Sequence, residues 1–391
     1  MGRFRWSRTL SVLRLGILFS TAGDTAALGR DCRDGALLAL DELRAEQGSA
    51  LAIEPVIGDP GGVGDRYIAL ARRMLTEDGC RHIVGTVTSQ SRKDVIPVVE
   101  KHDATLWYVC PYEGFEANPN VVYTGGCPNQ HLVPLFAHML PAYGRRVFLA
   151  GANYVWGWEM NRLAREIVTE AGGSIVGERC LPIAETDVAG LVAAVEARRP
   201  DFVLSNMLGP ANHAFLRAMR DLGRRDPAFR PKRCPVVSCD LTEAELPEIG
   251  AGVADGQLAA AAFFECLDTS QARRLKARAA ARFGATRRVS SYFATGYATV
   301  RLLGEAALRC GTDDPTRLRA ALDGPETEGP LGPLRIDPAT NHAALPFWLG
   351  RIAGDGFEVI GSGPRRAADP YLTGPRPLVP EAGRPRLRVV S

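Results

Sequence analysis

Three stretches of this chain carry side chains able to hold a small molecule. They are Gly85-Thr86-Val87-Thr88-Ser89-Gln90-Ser91-Arg92-Lys93, Tyr108-Val109-Cys110-Pro111-Tyr112-Glu113-Gly114-Phe115-Glu116 and Asn153-Tyr154-Val155-Trp156-Gly157-Trp158-Glu159. Each follows a short apolar run that ends in a turn and opens into helix-like sequence. In an open α/β sheet, ligands collect at such strand ends. One of Ser89 and Ser91 is expected to cap a helix. The other hydroxyl is then available to donate to a ligand oxygen, and Ser89 is the expected donor. Tyr108, Tyr154, Trp156 and Trp158 supply ring walls, with phenol and indole groups as polar handles. This is the chemistry of noncovalent capture.

Catalytic chemistry finds little support. There is no G-x-x-x-x-G-K-[ST], G-x-S-x-G, H-E-x-x-H or S-x-x-K. Cys110 or Ser89 as the nucleophile of an amidohydrolase lacks a His or Lys base at a recognisable spacing. Glu113 and Glu116 are expected to accept backbone N–H groups in the turn around Gly114. The six histidines are scattered, and Cys234 with Cys239 has no matching ligand pair, so no metal or other cofactor is expected. Gly58-Asp59-Pro60-Gly61-Gly62-Val63-Gly64 has its glycines at the wrong offsets for a dinucleotide turn and reads as a sharp strand-to-helix connection.

The 391 residues are 46% hydrophobic and 23% charged, a globular balance. A net charge of +3 argues against direct binding of nucleic acid. Nine scattered cysteines do not read as a disulfide framework and suit a reducing compartment. Arg8 and Arg14 interrupt the early apolar run, so Leu15–Phe19 is expected to be a buried first strand rather than part of an export signal. No segment is apolar for long enough to span a bilayer.

The elements that must position these residues alternate. Strands are expected at 53–57, 82–85, 105–109, 147–150, 174–176, 202–205, 236–239 and 256–260, with helices between them. That pattern gives parallel sheets covered by helices on both faces. The units outnumber what one sheet usually carries, so two sheets are expected. Asp34 and Asp187 suit first helical turns. Late strands are expected at 331–336 and 347–352, and the Pro/Arg/Gly-rich residues 363–391 read as a loosely packed tail.

The run Arg92-Lys93 with Val95-Ile96-Pro97-Val98-Val99-Glu100, then Pro111-Tyr112-Glu113-Gly114-Phe115-Glu116, then Val121-Val122-Tyr123 and Pro128-Asn129-Gln130, resembles the AmiC-type amide sensors. These are relatives of the type I periplasmic leucine/isoleucine/valine- and urea-binding proteins. Asp59-Pro60-Gly61-Gly62, Thr242-Glu243-Ala244-Glu245, Gly329–Arg335 and Asn341-His342 fit the same resemblance, which covers about residues 13–362. It implies two doubly wound parallel-sheet lobes joined by a three-crossover hinge, with 12–127 plus 264–335 in the first lobe and 128–263 plus 336–362 in the second. It implies a neutral amide or urea-like ligand touched at Ser89, Tyr108, Pro111 and Tyr154. At three pocket positions the family's Tyr, Thr and Tyr are replaced by Val87, Cys110 and Trp156, which points to a bulkier or different amide. Met207 is expected as a further wall residue.

The functional expectation is a cytoplasmic sensor that is not an enzyme. It would act through a regulatory partner, an RNA-binding antiterminator, within a homodimer or hetero-complex. The alternative is the periplasmic substrate-binding protein of an ABC transporter for branched-chain amino acids, amides or urea.

Overall fold

The computed structural model describes residues 10–47 and 51–376. Residues 1–9, on which the export-signal reading partly falls, and the end of the expected tail, 377–391, lie outside the described residues. Strands and helices are numbered here in chain order. β1 (Leu10–Leu18) is the buried first strand, with Leu13, Leu15, Ile17 and Leu18 removed from solvent.

The described residues form two seven-stranded sheets. In the first, β2 (Leu51–Gly58), β1, β3 (His82–Gly85), β4 (Thr105–Tyr108) and β5 (Val121–Tyr123) run parallel. β12 (His342–Ala343) joins β5 in parallel, and β11 (Ile336–Asp337) pairs antiparallel at the edge. In the second, β7 (Ser174–Leu181), β6 (Arg146–Ala152), β8 (Phe202–Asn206), β9 (Val236–Ser238) and β10 (Leu258–Ala261) run parallel, and β13 (Leu345–Ala353) and β14 (Gly356–Arg366) are antiparallel. The order 2-1-3-4-5 therefore occurs in both. β3, β4 and β8 are buried along their whole length, as strands covered on both faces must be.

The chain passes between the sheets three times: after β5, after β10 and between β12 and β13. The third passage is Ala344 alone. It falls later than the boundary expected after Arg335, because the short pairs β11 and β12 extend the first sheet. Sequence periodicity does not detect strands of two residues. α1 (Ala26–Gln47) begins well before Asp34, so Asp34 is mid-helix and pairs with Arg287 at 3.0 Å instead of meeting a helix N-terminus. Asp187 does serve the start of its helix, accepting from the Ala189 N–H at 3.1 Å. The 58–64 segment is a turn, with the Asp59 carboxylate accepting from Gly61 N–H at 2.8 Å.

The segment after residue 363 departs most from expectation. β14 continues to Arg366, and the following residues form a strap across the hinge. Asn129 Nδ2 donates to the Ala367 carbonyl at 2.9 Å, and Gln130 Nε2 to the Arg366 carbonyl at 2.9 Å. Phe115 N–H donates to the Pro370 carbonyl at 2.8 Å. Arg376 then reaches Glu170 of α5 (Val155–Glu170) at 3.2 Å. Leu372 is buried against the first core. Composition alone reads as a free tail because these bonds use backbone carbonyls, which every sequence has. Leu372→Ala is expected to lower stability by about 2 kcal/mol, at the low end for a buried leucine. Urea denaturation checks this; a loose tail would give no change.

Candidate functional site

The cleft floor is built from all three passages of the chain. Thr124, Gly125 and Gly126 come from the first, Ala260–Ala262 from the second, and Leu345 with Pro346 from the third. Pro111, Asp240 and Tyr292 form walls of the same cavity. Gly125 is dictated by backbone: a Cβ there would lie 1.8 Å from the Cys110 carbonyl oxygen. Gln130 ties two passages together, donating to the Ala343 carbonyl at 2.8 Å and accepting from Cys127 N–H at 3.0 Å.

The first-lobe wall is organised by a buried arginine. Arg92, on α3 (Ser89–Lys101), is fully enclosed, with its guanidinium 4.8 Å from the ring centres of both Tyr108 and Tyr112. It bonds Glu113 at 2.8 Å and Glu116 at 2.9 Å. Burial opposes the charge, but the two glutamates outweigh it and hold Arg92 firmly protonated. Lys93 adds a bridge to Glu116 at 3.2 Å. Glu113 and Glu116 are therefore ion-pair partners and not acceptors for the turn around Gly114. Ser89 donates to Glu113, and Arg92 Nη1 reaches the Ser89 hydroxyl at 3.3 Å. The helix cap is Thr88, whose side chain accepts from Ser91 N–H at 3.2 Å, so neither serine performs that role. Tyr108 donates to the Val87 carbonyl at 2.8 Å, and Cys110 Sγ to the Thr86 carbonyl at 3.3 Å.

The second-lobe wall stands on the exit of β6 and the loop after β9. Tyr154 is half-buried at the start of α5, while Trp156 is buried. Trp156 Nε1 donates to Asp240 at 3.1 Å, and its ring centre lies 6.2 Å from that of His131 on the hinge. Burial raises the Tyr154 phenol pKa. Tyr154 sits two residues before Trp156, whose partner Asp240 lines the cavity. Burial likewise raises the phenol of Tyr292, which lines the cavity from α10 (Ser291–Cys310). Among the described residues, neither the Tyr154 nor the Tyr292 hydroxyl has a protein hydrogen-bond partner.

Asp240 is an acid kept neutral. Burial pushes its carboxyl up to about 8, with the charge of Glu245 adding to the rise and bonds from Ser238 and Trp156 opposing it. Burial likewise pushes Glu243 up to about 8. The unfolded chain titrates these groups near ~4. Between those limits the folded state binds more protons, so their stabilising contribution is complete below pH ~4 and is lost as pH rises through about 8. Asp240→Asn keeps an acceptor for the indole N–H and removes the titration. Its stability relative to wild type is expected to climb between pH ~5 and ~8.5 in urea midpoints. A difference independent of pH would contradict the neutral Asp240.

Of the expected residues Pro111 lines the hinge cavity, Trp156 stands behind it through Asp240 and His131, Tyr154 lies two residues before Trp156 at the head of α5, and Tyr108 and Cys110 are closed into the first-lobe wall. Val87 is buried and offers its carbonyl to Tyr108. Met207 is enclosed in the second-lobe core and does not line the cavity. Ser89 is engaged by Glu113 and Arg92. Sequence reading missed Asp240, Tyr292, Gln130 and His131. The available signal for Asp240 was a carboxylate directly after the strand Val236–Cys239, at the same kind of strand exit that marked the other stretches.

A family model described as "Periplasmic binding protein domain" matches residues 13–374. The Leu/Ile/Val-binding protein homolog 6 of Brucella abortus (strain 2308) is 23% identical over 360 residues, covering 88% of each chain. A solute-binding protein of an ABC transporter from R. palustris, solved with 4-hydroxybenzoate, superposes with a TM-score of 0.82 at 20% identity, covering 93% of this chain and 100% of its own. An amino acid ABC transporter substrate-binding protein from Pseudomonas fluorescens Pf-5 superposes with a TM-score of 0.77 at 21% identity, covering 94% and 99%. These relatives are binding proteins and not enzymes. With its two lobes, three passages and a match over nearly its whole length, the chain belongs to the periplasmic binding protein family.

Proposed function

We propose that this protein is the solute-binding component of an ABC-type transporter, working in the periplasm and capturing one small uncharged molecule between its lobes. The reading rests on Tyr154, a half-buried second-lobe phenol at the head of α5 whose hydroxyl still lacks a contact among the described residues. A molecule in the cleft would complete that contact and favour the closed form, the only one in which both walls reach it.

The electrostatics support a neutral ligand. Arg92 is matched by Glu113 and Glu116, burial lowers His131 to about 4, and burial raises Asp240 to about 8. At neutral pH these groups present no unmatched charge. The rings and apolar floor suit a planar or branched body, and the phenols and Asp240 suit a carbonyl or amide group. An aliphatic or aromatic amide fits this description. The transporter reading is preferred to the cytoplasmic amide sensor because the solved relatives named above are transporter binding proteins. The sensor and its antiterminator partner have in their favour the Pro111–Glu116 resemblance, whose residues here build the Arg92 network. No helix among the described residues is long and apolar enough to cross a membrane.

A thermal-shift panel of amides, urea, branched-chain amino acids and benzoates tests the proposal. A ligand at ~100 times its dissociation constant adds about 2.7 kcal/mol of stability. Amides are expected to raise the melting temperature most. A response confined to carboxylates would overturn the neutral-ligand reading, and no response in any class would overturn capture of these solutes.

A further inference from the structure

Cys32, on α1, and Cys110, at the exit of β4, bring their sulfurs to 3.8 Å although they are 78 positions apart in sequence. Both are buried. All nine cysteines are free thiols in the structure, and among the described residues no other two come within sulfur hydrogen-bonding distance. Glycines fix the backbone around both. A Cβ on Gly296 would lie 2.4 Å from the Cys32 carbonyl oxygen, so α10 presses directly on α1 there. Gly125 presses on the Cys110 carbonyl oxygen in the same manner. A close backbone approach thus constrains the main chain at each cysteine. Sulfurs in contact have roughly 2 Å to travel to disulfide length.

Cys110 stands directly behind the ligand cleft, buried between Val109 and Pro111, which both line the cavity.

We propose that Cys32 and Cys110 are a redox couple in the cleft wall, closed to a disulfide by a disulfide-class oxidant while the lobes are open. The Cys110 thiolate attacks the oxidant's disulfide, forming a mixed disulfide and releasing one thiolate. The Cys32 thiolate then attacks Cys110 Sγ and expels the second. Two protons leave the protein thiols and two electrons pass to the oxidant, which ends as two thiols. Closing the bond draws Cys110 Sγ away from the Thr86 carbonyl and towards α1, altering the wall beside Pro111.

The test uses the native, fully reduced protein and oxidised glutathione as the probe. After incubation, free thiols are alkylated in denaturant and the chain is mapped by mass spectrometry. Two of the nine thiols are expected to be lost, with a Cys32–Cys110 linked peptide and a melting temperature that rises and is restored by dithiothreitol. Cys32→Ser and Cys110→Ser should each yield no linked peptide; the wild-type map stands even if either variant folds poorly. Nine alkylated thiols, modification confined to other cysteines such as the exposed Cys266, or a linked peptide formed only in denaturant would each overturn the proposal. No cleft ligand enters this test, so it fails or succeeds separately from the solute panel.

Discussion

Arg92→Met is expected to lower stability by about 3–5 kcal/mol, because it strands buried carboxylates. Glu113 is almost as enclosed as Arg92, and Ser89, Tyr108 and Tyr112 are all arranged around the guanidinium. Removing the cation leaves Glu113 with a serine and a half-exposed lysine. The physical cause predicts its own rescue. Glu113→Gln and Glu116→Gln, added to Arg92→Met, should recover a large part of the loss, since a neutral set has no charge to strand. Urea midpoints of the single and triple variants decide the matter. A single variant within ~1 kcal/mol of wild type would mean that the buried network contributes little.

The second large effect separates two aromatic neighbours. Trp156 is buried, packed in the first core cluster and bonded to Asp240, so Trp156→Ala should cost about 3–5 kcal/mol of stability in the empty protein. Tyr154 is half-buried at the head of α5 with its phenol unpartnered among the described residues, so Tyr154→Ala should leave the empty protein nearly as stable. Its cost falls on the ligand: about 2 kcal/mol of binding, or roughly 30-fold in affinity. Melting temperatures without ligand and titrations with the best stabiliser from the panel give both numbers. If the two variants behaved alike, the distinction between core ring and cleft ring would fail.

Much of this was legible in the residues. The alternation of apolar runs and helical stretches gives two parallel sheets, because a parallel strand buried on both faces is a short continuous apolar run, as His82–Gly85 and Phe202–Asn206 are. The strand exits at Val109–Glu116 and Asn153–Trp156 were legible for the same reason. What the sequence hid was partnership. Glu113 and Glu116 look like turn residues until α3 brings Arg92 beside them. Met207 looks like a wall residue until the second core closes over it. Asp240 and Tyr292 are far apart in sequence and meet only because the hinge folds α10 under the cleft. The strap at 367–376 hid because its bonds run through backbone carbonyls.

On the proposed function, one small neutral molecule is captured between the lobes, with Tyr154 completing the site. Calorimetric titration of the strongest stabiliser from the solute panel against wild type and Tyr154→Phe tests it most directly. One molecule per chain is expected, with an affinity at least ~10-fold weaker in Tyr154→Phe, because a hydrogen bond in an enclosed site loses its donor. Equal affinities in the two proteins, or binding of several weak copies per chain, would contradict it.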